Sequence, residues 1–379
     1  MNLLTNQLHK FGFGALLLGS VALSACEKET EELCGGAPSI TDVTRPEKRD
    51  TVLTKGNLAD WIIIRGNNFC SVQSVVFNDL EAPLADAYVT PTEITVRIPR
   101  AIPKNVTNKI TVTTEGGMAE KAYTISIPPL TVRGLSNEYA APGTTAAVVG
   151  QNFDLYGVTP EKGKVLWNGT PVAITRTTAD SVYFVVPTSA TPGNTVKIQD
   201  ANSVETNVPG RYKDNRNVIF NYATGGSVWG GTDFITTGPT PAPVDGPFLR
   251  VNKAIGAWAW TEFTANNTIV LPMDVLNNPN NYVLKFEYNT LKPFNTNVIK
   301  IAIDGDPGAA TTPNTYLWRP TSPINTRGKW STMRINMSDL LTTGLVPSRT
   351  QHEFRLLFHG DGALDADISF DTFRIVPKG

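Results

Sequence analysis

The sequence is poor in the side chains from which active sites are made. Its 379 residues include three histidines and three cysteines. His352-Glu353-Phe354-Arg355-Leu356 opens like a zinc-protease motif but lacks the second histidine that would complete the ligand pair. No Gly-x-Ser-x-Gly elbow, phosphate-binding loop or free nucleophilic cysteine stands out. A glycosidase needs two placed carboxylates, and residues 213–379 hold only Glu262, Glu287 and Glu353 as glutamates beside eleven aspartates. Glu287 alternates with Phe286 and Tyr288, the pattern of a solvated strand face. Basic blocks are missing too. With 33 Lys+Arg against 34 Asp+Glu, neither nucleic acid nor an anionic lipid surface is an expected partner. No enzyme activity and no cofactor is expected. Asp304-Gly305-Asp306 and Asp361-Gly362 with Asp365 and Asp367 offer oxygen ligands of the kind calcium takes, but Asp-Gly is primarily hairpin chemistry, so no metal is assigned.

Long apolar runs are also lacking. The longest, Phe11 to Ala25, has 15 residues, short of the ~20 a spanning helix needs. It follows Lys10 and ends in Leu23-Ser24-Ala25-Cys26, a secretory signal closing on a lipobox. The expectation is cleavage before Cys26, acylation of that residue and a lipid anchor; an uncleaved membrane anchor is the alternative. More than one acyl chain makes such an anchor stable. The acidic stretch Glu27 to Glu32 resembles the export signal that sends lipoproteins to the cell surface in some Gram-negative bacteria, which places the protein on the outer membrane facing the exterior. Without residues 1–25 the chain keeps 354 residues, enough for two or three domains. Cys34 and Cys70 remain; they either pair, closing a loop of about 37 residues, or stay free.

What is abundant is glycine (31), proline (27) and short β-branched runs, the composition of an all-β protein. An internal repeat divides the first half. Trp61-Ile62-Ile63-Ile64-Arg65-Gly66-Asn67-Asn68-Phe69 is echoed by Ala146-Ala147-Val148-Val149-Gly150-Gln151-Asn152-Phe153. Each copy continues into a strand ending in Phe77-Asn78-Asp79 or Trp167-Asn168-Gly169, then into one ending at Pro99 or Pro187. The glycines lie 84 residues apart and the prolines 88, too long a period for a solenoid, so a domain is duplicated. In the Gly-x-Asn-Phe turn, glycine is expected to supply φ > 0, asparagine to tolerate it, and phenylalanine to enter the core. These motifs resemble the IPT/TIG immunoglobulin-like domains, most often spacers or protein contacts. The organisation is therefore a signal peptide (1–25), an acidic tether (26–37), immunoglobulin-like sandwiches at 38–127 and 128–212, and a different domain at 213–379. Ile127-Pro128-Pro129 is a stiff boundary.

The last region holds five of the seven tryptophans. Strands are expected at 216–222, 247–253, 256–263, 282–289, 297–303, 330–336, 353–359 and 367–376, and one short helix at Ser338–Thr342 capped by Ser338. So many strands suggest a jelly-roll-like β-sandwich. In Gly256-Ala257-Trp258-Ala259-Trp260 the period-two alternation puts both indoles on one face of a strand. An indole face stacks on the C–H face of a sugar ring, and burying about 100 Å² of apolar surface per sugar is worth near 2.5 kcal/mol before ordering costs. Core packing is the competing role for each tryptophan. Tyr316 and Trp318 share a face in a Pro-bounded segment, a second contact, while Trp330 reads as structural.

Asn217-Val218-Ile219-Phe220-Asn221, Trp229-Gly230-Gly231, Phe248-Leu249-Arg250-Val251, Gly256 to Trp260 and Phe370 to Pro377 resemble the C-terminal domain of surface glycan-binding lipoproteins from bacterial polysaccharide-utilisation systems. The resemblance implies tandem immunoglobulin-like spacers, stacking by Trp229 and the Trp258/Trp260 pair, a β-glucan or xyloglucan-like polysaccharide as ligand, and an outer-membrane glycan transporter as neighbour. The rival reading is a surface adhesion or assembly protein that grips a protein partner.

Overall fold

The computed structural model describes residues 34–223, 232–346 and 348–378. Nearly all regular structure is antiparallel β-sheet. Two compact units make up the chain, Met1–Pro128 and Pro129–Gly379.

In the first unit, Ser39–Thr44, Trp61–Asn67, Glu93–Arg97 and Tyr88–Val89 form one sheet, and Leu80–Glu81, Val72–Phe77, Lys109–Thr114 and Gly117–Ala122 form the other. Alternation sends Ile62, Ile64, Val75, Phe77, Val96 and Val112 into the space between, where all are buried. Cys34 and Cys70 form a disulfide with a Cα–Cα distance of 5.6 Å.

The second unit opens with the same strand order. Thr131–Leu135, Thr145–Gln151, Ser181–Val185 and Ile174–Thr177 face Thr170–Val172, Lys164–Trp167, Val196–Gln199 and Glu205–Asn207. The shared turn works differently from the expectation. Neither Gly66 nor Gly150 has positive φ; the left-handed residues are Asn68 (φ 62°) and Asn152 (φ 66°). Each asparagine side chain donates to an earlier carbonyl, Ala37 or Pro129. Glycine is required because a Cβ at Gly66 would lie 1.8 Å from the Ser39 carbonyl oxygen, and one at Gly150 2.1 Å from that of Thr131. Phe69 and Phe153 are fully buried.

The jelly-roll-like sandwich follows. Its larger sheet runs Ile235–Thr236, Phe248–Ile255, Leu364–Pro377, Tyr282–Thr290, Ser331–Asn336, with Val218–Phe220 pairing on Leu364–Pro377. The smaller runs Thr261–Ile269, His352–Phe358, Ile299–Ile303, Thr315–Trp318. Leu284, Phe286, Phe370 and Phe373 meet Ile299, Ile301, Phe354, Leu356 and Phe358 between them. The short helix is Met337–Leu340, with Asn336 rather than Ser338 at its N-cap position. Trp330 is buried; its indole N–H donates to the Ala242 carbonyl at 2.7 Å.

The outer face of Tyr282–Thr290 overturns the solvated reading of Glu287. Lys285 and Glu287 point away from the core as alternation requires, yet both are buried, because the preceding sandwich lies over them. Its Glu138 accepts from Lys285 Nζ at 2.7 Å, Arg374 Nη2 at 2.8 Å and Arg334 Nη2 at 3.1 Å. Arg374 also reaches Glu287 Oε1 at 2.8 Å. The Thr332 N–H donates to the Ser136 carbonyl, and the Glu138 N–H to Thr332 Oγ1. Burial works against the Glu138 carboxylate, but Arg374, Lys285 and Arg334 outweigh it and hold its pKa below the ordinary value. Burial depresses Lys285 and raises Glu287. Uncompensated charge is not tolerated in such a setting, so the two sandwiches of this unit are locked by mutual neutralisation.

Candidate functional site

The site lies where the chain crosses between the two sheets of the last sandwich. Phe248–Ile255 ends in the larger sheet and Thr261–Ile269 starts in the smaller. The five residues between, Gly256 to Trp260, form a turn and not the expected strand. A chain changing sheets cannot stay hydrogen-bonded to either. The Ala259 N–H donates to the Gly256 carbonyl, and the Trp258 N–H to the Gly360 carbonyl at 2.7 Å. Trp258 sits at φ 58°, an outlier for a bulky residue and a form of strain that clusters at functional sites. Trp258 is 60% exposed and Trp260 46%.

Polar and aromatic side chains brace these indoles. His359, following the strand His352–Phe358, lies against both: its ring is 5.7 Å from Trp258 at 71° and 5.2 Å from Trp260 at 54°. Glu262 and Arg355 form a two-pronged pair across the strands, with Arg355 Nε at 2.6 Å from Oε1 and Nη2 at 2.9 Å from Oε2. The Trp260 indole N–H reaches Glu262 Oε2 at 3.4 Å, while the Arg355 guanidinium lies 5.5 Å from the Trp260 ring centre. The 304–314 loop closes one edge: a Cβ on Gly308 would stand 3.4 Å from the indole. Lys300 Nζ donates to the Pro307 carbonyl, and Asp306 Oδ1 accepts from the Gly308 and Ala309 N–H groups.

Two expected contacts are not brought to this site. Trp318 is 6% exposed and stands in the core against Phe286, Tyr288 and Phe294 at 5.1–5.9 Å. Its strand, Thr315–Trp318, pairs with Ile299–Ile303, so the face shared with Tyr316 is the inner one. The assignment of Trp318 to stacking is therefore corrected. Tyr316 is half-buried and packed on the same core. Trp229 and Cys26 lie outside the described residues. Sequence reasoning overlooked His359, Arg355 and Glu262 as partners of the tryptophans. Alternation along Arg355-Leu356-Leu357-Phe358-His359 sets Arg355 and His359 on one face, the signal that was there to use. The acidic loop at Asp304 is engaged internally: Oδ2 meets His352 Nδ1 at 2.7 Å and Arg349 at 3.2 Å, and Oδ1 accepts from the Glu353 N–H. Burial opposes this carboxylate, but those donors hold its pKa below the ordinary value.

Residues 212–377 match the family described as the xyloglucan-binding domain of surface glycan-binding protein B. The matched segment contains the whole sandwich on which Trp258 and Trp260 stand. An IPT/TIG domain-containing protein of Bacteroides ovatus is 25% identical over 356 residues, spanning 84% of this chain and 69% of its own length. The crystal structure of surface glycan-binding protein PbSGBP-B from Prevotella bryantii aligns with 92% of this chain and 100% of that one, at a TM-score of 0.54 and 19% identity. SGBP-B from a complex xyloglucan utilization locus in Bacteroides uniformis aligns at a TM-score of 0.49 and 21% identity, over 90% and 99% of the two chains.

Proposed function

We propose that this protein is a non-catalytic, cell-surface glycan-binding lipoprotein that captures a polysaccharide on Trp258 and Trp260. A β-glucan or xyloglucan-like chain is the favoured ligand. The observation that carries the reading is a pair of exposed indoles held by a strained turn and an ion pair, inside a domain matched by a xyloglucan-binding family. Two stacked sugars at near 2.5 kcal/mol each, less ordering costs, give the modest affinity that capture and release require. Trp229 joins this set through the family resemblance. A non-catalytic role is supported by the family matched at residues 212–377, which is described as a binding domain. Domains at 38–127 and 128–212 then act as spacers, the acylated Cys26 anchors the protein in the outer membrane, and a glycan transporter is its neighbour. Affinity electrophoresis of the full chain in gels containing xyloglucan, mixed-linkage β-glucan, mannan, xylan or starch tests the proposal. Retardation in a β-glucan gel, lost on Trp258→Ala and strongly weakened but still measurable on Trp260→Ala, with unchanged far-UV circular dichroism, supports it. Equal mobility of all three proteins in every gel rejects it.

A further inference from the structure

We propose that Arg355 and Glu262 are positioning residues, a cradle that sets the angle of the Trp260 indole so that one ring face is presented to ligand. The inference rests on the glycan-binding reading of the site. Trp260 follows a turn and would by itself have the rotamer freedom of any exposed tryptophan. Three contacts remove that freedom: the N–H directed at Glu262 Oε2, the guanidinium over the ring, and Gly308 at the ring edge. Glu262 is buried and Arg355 largely so. Both Glu262 oxygens accept from the guanidinium fork, which fixes the plane of each group. A lysine at 355 would keep the charge and lose the fork. Arg355 therefore acts through Trp260 and not on the glycan.

A double-mutant cycle in the full chain separates the two modes of action. Arg355→Ala should weaken retardation in the binding gel about tenfold in the native background, Arg355→Lys nearly as much, and Arg355→Ala should add less than about twofold once Trp260 is alanine. Equal weakening in both backgrounds, or full activity of Arg355→Lys, overturns the proposal. Near-UV circular dichroism is the readout that needs no ligand. The difference spectrum between Arg355→Ala and the native protein should vanish when both carry Trp260→Ala. If it persists unchanged, Trp260 is not what Arg355 holds. A native protein that binds no glycan defeats the proposed function, while this spectrum still judges the cradle.

Discussion

Glu138 is the residue whose removal the second unit should tolerate least. Its carboxylate is buried and neutralises Lys285 and Arg374, which are buried with it, together with Arg334. In Glu138→Ala, Arg374 keeps Glu287 as a partner, but Lys285 loses its ion pair with Glu138. Breaking a buried pair by deleting one side costs about 3–5 kcal/mol. At roughly 2–4 °C per kcal/mol for a domain of this size, the second unit's thermal midpoint should fall by about 6–20 °C. The first unit contains none of these groups, so its transition serves as an internal reference. Calorimetry of the full chain reads both. A loss below about 1 kcal/mol would refute the reasoning, since it would mean that water or relaxation supplies what the carboxylate now supplies. The same logic predicts that a fragment cut at 213 is less stable than one starting at Pro129, because the cut strips Glu138 from three cations.

Three further outcomes follow from the geometry. Trp318→Ala should cost about 3–5 kcal/mol in chemical unfolding, whereas Trp258→Ala should change stability by less than about 1 kcal/mol and abolish glycan retardation. Burial raises the Asp371 pKa from 3.8 to about 8, so the folded state favours the protonated acid. Its contribution is complete below the unfolded value near 3.8 and is lost as pH climbs through about 8; stability measured across that range should decline less steeply in Asp371→Asn. Reduction of the Cys34–Cys70 bond, which spans 36 residues of sequence, should lower the first unit's stability by about 3–4 kcal/mol in the chain-entropy model and leave the second unit's transition in place.

Alternation made most strands of the last sandwich legible: the expected 282–289, 330–336 and 353–359 fall within a residue or so of Tyr282–Thr290, Ser331–Asn336 and His352–Phe358. What alternation cannot supply is which of two faces meets the core and what covers the other. Trp258/Trp260 and Tyr316/Trp318 are the same X-x-X pattern in sequence, yet one pair is exposed and the other turned inward, because only the second lies in a paired strand. Alternation correctly sets Glu287 on the outer face but not in solvent, since the cover of that face comes from the segment around Glu138, about 150 residues earlier, which also pairs with Lys285. The repeat was visible through Gly66 and Gly150, but its physical cause was a carbonyl approaching from a preceding strand, a contact no local pattern contains. His359 and Arg355 escaped notice for the same reason: their partners Trp260 and Glu262 lie on a neighbouring strand and its entry turn.

Isothermal titration of the full chain with soluble xyloglucan, beside the Trp258→Ala/Trp260→Ala double variant, tests the central claim most directly. The account predicts saturable binding by the native protein and none by the folded double variant. Undiminished binding by the double variant would contradict it, placing the glycan elsewhere on the molecule.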